Sequence, residues 1–351
     1  MAYTDIDKSD DYFNTKLYTG NNSTGHAITG VGFQPDWTWI KERSSTSSHF
    51  VNDSVRGAGE NLYTNLTSAE GTLTALFTSF DSDGFTIGNT NQGNESGQTY
   101  VAWNWLADNT SGSSNTDGDI TSTVSANTTS GFSIVSYTGT GSAATVGHGL
   151  GSDCKLIIIK NRSTATNWIM YHQVTAENRY MELNTTNAEA INFDYWQSTK
   201  PTSSVFTIGT ASTVNGSGNS MIAYCFAEKK GFSKFGSYTG NGNSDGTFIY
   251  TGFKPAFFIL KASSGGTASS RSWRMLDNKR DTFNVTDTTL YPNENIAEDT
   301  GGATSGMDFV SNGIKIRGTS AAINESGTTY IYMAFAESPF VTSGGIPITA
   351  R

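Results

Sequence analysis

Apolar and polar positions alternate in short runs along this chain, and the runs return in the same order three times. A tyrosine-threonine-glycine turn opens each round, at Tyr18-Thr19-Gly20, Tyr137-Thr138-Gly139 and Tyr238-Thr239-Gly240. An apolar run ending in lysine follows, closing at Lys41, Lys160 and Lys261. Next comes a glycine-bounded run in which Phe85 and Ile87 alternate with Thr86, repeated at 205–209 and 313–318. An Asn/Gly/Ser turn then leads into an aromatic-alanine run at 100–105, 221–226 and 330–335. A period of two marks strands with one face buried. Gly and Asn at the junctions supply the positive φ that tight turns need. No segment sustains a helical period between caps. The pattern predicts an all-β chain of three tandem β-sandwich units.

The repeat sets the borders: an N-terminal arm over 1–15, unit 1 over 16–116, unit 2 over 117–231, and unit 3 with the C-terminal tail over 232–351. Landmarks keep their order while the segments between them vary in length, as loops do. The closing run predicts its own packing. Val101, Trp103 and Trp105 share one face, as do Ile222, Tyr224 and Phe226, and Ile331, Met333 and Phe335. We assign this large face to the core of each sandwich. The opposite face carries Ala102, Ala223, Cys225, Ala334 and Ala336, small enough for close approach by another layer, a neighbouring subunit or a ligand.

Composition narrows the function. Charged residues are only 15% of the chain, the net charge is −9, and no basic run exceeds Lys229-Lys230. That excludes nucleic-acid binding through a basic stripe. Two cysteines, Cys154 and Cys225, lie in apolar runs and read as buried thiols, too few for a disulfide framework. No apolar stretch is long enough to insert in a membrane, and 1–11 lacks the pattern of a signal peptide. The expectation is folding in a reducing cytoplasm.

The residues that carry chemistry do not repeat as a catalytic set. The four histidines, His26, His49, His148 and His172, lack metal-ligand spacing with a nearby Cys or carboxylate. His172 holds a repeat position that Asp53 and Asp277 hold in the other units, which suits the fixing of a loop. Asp81 and Asp83 are close enough to suggest a glycosidase pair, yet Asp-Ser-Asp-Gly reads as a turn. Nucleophile-elbow, phosphate-loop and zinc-protease motifs are absent from the sequence. Oxygen ligands cluster at 293–295, 298–299 and 241–245, without calcium-loop spacing. We expect no enzyme, no cofactor and no metal. Among the tryptophans, Trp196 is unmatched in the other units and sits in the polar stretch 194–197. With Tyr195 it is the candidate surface contact.

Several of these segments together resemble a family of virion-associated repeat domains from tailed bacteriophages, especially marine ones. They include Gly32-Phe33-Gln34-Pro35-Asp36, Asn167-Trp168-Ile169-Met170-Tyr171-His172, Thr251-Gly252-Phe253-Lys254-Pro255-Ala256, Met333-Ala334-Phe335-Ala336-Glu337 and the tail Thr349-Ala350-Arg351. The resemblance covers almost the whole chain. It implies sandwiches of the jelly-roll or lectin/laminin-G-like type and a place in the virion, assembled in the host cytoplasm. It supplies no catalytic residues. The first function expected is a tail fibre or tail-associated adhesin contributing to host attachment. Its partners would be other virion proteins, further copies of the chain (a trimer on the fibre analogy), and a host surface glycan or outer-membrane component. The alternative is a capsid decoration or scaffold protein with no receptor role; a third reading is a polysaccharide depolymerase.

Overall fold

The computed structural model describes residues 3–302 and 304–348, apart from the side chains of 268 and 269; Thr349-Ala350-Arg351 lies outside the described residues. The chain is all-β and folds as three β-sandwiches in tandem. In each, the closing strand lies between the strand that ends in the Tyr-Thr turn and the strand that carries the lysine. Thus Thr99–Trp105 separates Phe13–Thr19 from Trp37–Glu42, and Ser220–Ala227 separates Phe132–Thr138 from Cys154–Asn161. Thr329–Pro339 likewise separates Ser233–Thr239 from Phe253–Ser264. These pairs are antiparallel. A smaller sheet covers one face of each larger one. It is His26–Thr29, Gly84–Ile87 and Phe77–Asp81 in unit 1, and Ala144–Gly147 with Val205–Ile208 in unit 2. In unit 3 it is Phe248–Tyr250, Gly313–Ile316 and Met307–Val310.

Two borders differ from those the repeat suggested. The arm ends before Phe13, not at 15, because Phe13 starts a strand and is buried against Trp105 and Phe335, at ring separations of 4.9 and 5.1 Å. Ser113–Asn115 pairs with Ser122–Asn127, so residues placed in unit 1 belong to the larger sheet of unit 2.

The repeated turn has a direct cause. The hydroxyls of Tyr18, Tyr137 and Tyr238 donate to the carbonyls of Gly93, Val214 and Ile323, at 2.9, 2.7 and 2.7 Å. Each acceptor lies in a one-turn helix, Asn91–Asn94, Ser212–Asn215 or Ala321–Asn324. The last residue of each helix is a buried asparagine whose amide spans two loops; that of Asn94, for example, donates to Ser23 and Gly88. A Cβ on Gly20 would meet the Glu95 carbonyl oxygen at 2.1 Å, so only glycine fits.

The faces of the closing strands are disposed otherwise than expected. The small face, Ala102 in unit 1, packs under the smaller sheet against Ile28, Phe77, Phe85 and Ile87. In unit 2, Ala223 and Cys225 do the same against Val146, Phe206 and Ile208. The large face turns away from its own sandwich. Trp103, Trp105, Tyr224, Phe226, Met333 and Phe335 all belong to one buried cluster shared by the three units. Trp37 of unit 1 stacks on Tyr224 of unit 2, with centroids 4.4 Å apart. Phe335 of unit 3 lies 5.7 Å from Trp105 and 6.0 Å from Phe226. The physical reason is that the larger sheets are apolar on both faces. The smaller sheet covers one, and the other is removed from water only against the neighbouring units.

Polar bonds close this arrangement into a ring. The Glu298 amide donates to the Arg43 carbonyl, that of Glu70 to Arg162, and that of Glu189 to Ser263, at 2.8, 2.9 and 2.8 Å. The three acceptors hold one repeat position, two residues beyond the lysine, and the three bonds join units 3 and 1, 1 and 2, and 2 and 3. Side chains reinforce two of them, with Arg43 on Glu298 at 2.8 Å and Arg162 on Glu70 at 2.6 Å. The indoles of Trp168 and Trp273 donate to the Tyr63 and Glu182 carbonyls, each at 2.9 Å, across the same seams. His49, the unit 1 equivalent, lies against the Tyr291 backbone without a well-formed bond from Nε2.

The three lysines are buried, and two of them reach across the seams. Lys160 donates to the carbonyls of Thr67 in unit 1 and Thr166 in its own unit, at 2.8 and 2.6 Å. Lys261 donates to Thr185 of unit 2 at 2.5 Å. Lys41 stays within its own loop, on the Glu42 and Ser45 carbonyls. Burial lowers their pKa values to about 8 for Lys41 and Lys160 and about 7 for Lys261, against an ordinary 10.5. Between those values and 10.5 the unfolded chain holds protons that the folded chain has released, so stability rises with pH through that window. Above about pH 10 tyrosine ionisation in the unfolded chain opposes it, since burial raises the pKa values of Tyr137 and Tyr238. Urea unfolding should therefore show stability increasing by up to about 5 kcal/mol from pH 7 to pH 9. Lys261→Met should flatten the rise; an unchanged slope would contradict this assignment.

Candidate ligand-binding groove

The structure brings the candidate contact residues inward. Trp196 is 1% exposed and Tyr195 8%. Both lie on the short helix Phe193–Trp196, whose first turn is capped by Asn192 accepting from the Asp194 amide at 2.9 Å. The helix points Trp196 edge-on at Tyr171, 5.8 Å away, and Tyr195 at Tyr180, 4.5 Å away, and leaves Phe193 outside. The expected Trp196–Tyr195 surface is thus a piece of core; a polar sequence around a tryptophan marks a tight turn as readily as an exposed one. All seven tryptophans are buried.

The other polar candidates are engaged in holding loops. Asp53 and Asp277 each receive a buried arginine three residues on, Arg56 and Arg280. Asp53 also accepts from the Tyr224 hydroxyl at 2.7 Å, and Asp277 from the Trp103 indole at 3.0 Å. Tyr224 and Trp103 hold one repeat position, and the third unit places Met333 there, which offers no donor. Opposite Met333 the chain has His172, whose Nε2 lies 3.1 Å from the Tyr332 carbonyl. Burial lowers the His172 pKa to about 4, so the ring is neutral and donates from Nε2. His148 is likewise buried, between the Thr202 carbonyl and the Leu150 amide. Asp83 accepts from the amides of Gly30 and Gly32 at 3.0 and 2.7 Å and so holds the loop that follows His26–Thr29. Glu294 accepts from Ser272, and Glu298 from Arg43 and Arg280. Among the described residues no group of three or more His, Cys, Asp or Glu is placed to hold a metal ion.

A groove of about 690 Å³ opens instead where the arm, the junction of units 2 and 3, and the tail converge. The arm is fixed there by Thr4 Oγ1 and the Asp5 amide, which donate to the Lys230 carbonyl at 2.9 and 3.1 Å. The tail is fixed by the Phe340 amide on Gly252 and the Ser343 amide on Asp7. Tyr3, Tyr250 and Phe340 supply aromatic walls, with Tyr3 and Tyr250 60% and 61% exposed. The charged lining is Lys155, Lys230 and Lys234 against Asp5 and Glu228. Both carboxylates already accept from protein donors: Asp5 from the Lys230 amide at 3.2 Å, and Glu228 from Lys234 at 2.7 Å. Aromatic faces and a volume typical of small-molecule sites equip the groove for stacking.

Tyr250 belongs to a strand on which the three copies disagree. Register with the glycine-bounded strands aligns Phe248 and Tyr250 with Ala27 and Thr29 in unit 1, and with Thr145 and Gly147 in unit 2. Only unit 3 projects two aromatic rings outward from this sheet, with Ile249 between them buried. Comparison of the copies at 248–250 carries that signal in the sequence, but the strongest repeats draw attention to tryptophan.

Residues 8–339 match a family described as a domain of unknown function, DUF7483. The chain belongs to this family. No curated protein and no solved structure matches it.

Burial separates the two aromatic candidates experimentally. Trp196→Ala should destabilise the protein by about 3–5 kcal/mol, whereas Tyr250→Ala should change stability by no more than about 0.5 kcal/mol, both measured by urea denaturation. Equal losses would contradict the assignment of Trp196 to core and Tyr250 to surface.

Proposed function

We propose that the chain is a structural protein of a bacteriophage virion, a tail fibre or tail-associated adhesin that meets the host surface through unit 3. The resemblance to phage repeat domains supports the setting. The single observation that carries the adhesive role is that Phe248, Tyr250, Phe283 and Phe340 are exposed on unit 3 and its tail, against Phe193 alone in unit 2, with Tyr250 and Phe340 lining the groove. The polar groups singled out by the repeat are taken up by seams and loops, which supports a role in presentation over one in chemistry. A host surface glycan or outer-membrane component is the partner on the host side, and other virion proteins are partners on the particle. The homotrimer of the fibre analogy is part of the same proposal. The internal ring already gives one chain a threefold outline, so such a trimer would assemble through surfaces outside the seams.

Fluorescently labelled protein should bind cells of the host bacterium, and Tyr250→Ala combined with Phe248→Ala should reduce that binding at least about tenfold while leaving the melting temperature unchanged. Immunogold label over the phage head, with none on the tail, would contradict the adhesin and favour the decoration protein. Release of oligosaccharides from host exopolysaccharide by the purified chain would favour the depolymerase.

A further inference from the structure

We infer that a cavity at the seam of units 1 and 3 binds the acetamido group of an N-acetylated sugar. This cavity shares no lining residue with the groove of Tyr250, and its occupancy does not depend on the adhesive reading. The argument starts at the free edge of each larger sheet. The Gly20 amide donates to Gln98 and the Leu106 amide to Tyr12, so the even-numbered residues of Phe13–Thr19 bond to the closing strand. Thr15 therefore turns its N–H and C=O away from that strand. The same count turns Ile134 outward in unit 2 and Phe235 in unit 3. Ile134 meets a strand of the chain itself, Ser122–Asn127. Phe235 donates to the Glu228 carboxylate at 3.2 Å and accepts from the Gln173 side-chain amide of unit 2. Thr15 has neither kind of partner among the described residues. Lys8 stands where unit 3 has Glu228, and Asn278, one methylene shorter, stands where unit 2 has Gln173.

The two replacements leave a cavity of about 320 Å³, within the range of small-molecule sites. Its lining holds polar atoms without partners. Ser9 Oγ, Thr15 Oγ1 and Asn278 Oδ1 are all buried and unpaired, and the first two belong to side chains on residues only 1% and 5% exposed. Native interiors leave few such groups unmatched. The Thr15 pair calls for an acceptor and a donor side by side, which a secondary amide presents in one plane. Phe13, Ala256 and Ala336 line the same cavity and give the acetyl methyl an apolar wall. The three unpaired side-chain atoms are then free for ring hydroxyls. Two lysines face three carboxylates in the lining, and Lys8 and Glu337 already pair with Asp11 and Lys254, so the ligand is neutral. A peptide strand is the competing occupant. Leu17, the next outward residue, does not line the cavity, so a strand would find the bonding pair of one residue and no ladder. The observations favour the sugar.

NMR titration of the full chain with N-acetylglucosamine and N-acetylgalactosamine tests the inference. Glucose and galactose are the controls without the amide, and N-acetylglycinamide is the amide without the sugar ring. At least one N-acetyl sugar should bind at least about tenfold tighter than its control and shift the Thr15 amide resonance. Asn278→Gln should carry its amide to the Thr15 carbonyl, as Gln173 reaches Phe235, and so fill the site from within. That variant should bind at least about tenfold more weakly, with a melting temperature no lower than the wild type's. Ser9→Ala should weaken binding about threefold or more, and it decides the matter if Asn278→Gln does not fold. No binding by either N-acetyl sugar, as a cavity holding only ordered water would give, overturns the inference. So does equal binding by the controls or by N-acetylglycinamide, or wild-type affinity in both variants. Loss of cell binding in the Tyr250 variants with the sugar still bound here separates this site from the adhesive one.

Discussion

The apolar second face of each larger sheet is the constraint from which the rest of the structure follows. A β-sheet with large side chains on both sides needs two covers, and a two- or three-stranded smaller sheet provides only one. Here the missing cover is the other two units. Trp105, Phe226 and Phe335 hold one repeat position, and all three enter the shared cluster. Burying a side chain of that size contributes roughly 1.5–3 kcal/mol, and aromatic contacts of this kind add about 0.5–1.5 kcal/mol each. The repeat is therefore a device for mutual burial, with each unit a complete sandwich on one side and a third of a core on the other.

Direction is given to that burial by the polar seams. Aromatic packing alone tolerates sliding, whereas an indole donating to a neighbour's carbonyl, or a glutamate amide meeting an arginine carbonyl, fixes a register. The seams also show how the units diverged without opening the ring. Where the closing strand offers a donor, Tyr224 or Trp103, the facing residue is an aspartate backed by arginine. Where it offers Met333, the facing residue is a neutral histidine bonded to backbone. Acceptor and donor differ together, and Asp53, Asp277, Tyr224, Trp103 and His172 are all satisfied.

Much of the fold was legible because alternation, turn residues and lysine-ended runs are local signals. The strands, the turns between them and the glycine at position 20 follow from them, whereas strand order around the closing strand does not. Which way a face points does not, since Val101, Trp103 and Trp105 look the same whether they cover their own sandwich or another. The seam residues were half visible. Glu70 and Glu189 stand at the same distance after Lys41 and Lys160, but the insertion in unit 3 displaces Glu298, so the third member breaks the pattern. Asp53 and Asp277 each precede an arginine by three residues, while His172 hides the third case. Trp196 was misread because composition around a residue reports solvent only on average. Its one-turn helix carries it under the surface. Tyr250 went unnoticed because its strand, taken alone, looks like any other; only alignment with Ala27–Thr29 and Thr145–Gly147 shows that its outward rings are peculiar to unit 3. The outward aromatic rings thus lie where the repeat breaks, on a scaffold that the repeat makes rigid.

Differential scanning calorimetry of the intact chain tests the closed ring most directly. Three units that share one core cannot unfold separately without exposing the aromatic cluster. A closed ring predicts a single transition whose calorimetric and van't Hoff enthalpies agree. Two or three separable transitions, with a van't Hoff enthalpy near a third of the calorimetric value, would show independent sandwiches and contradict it.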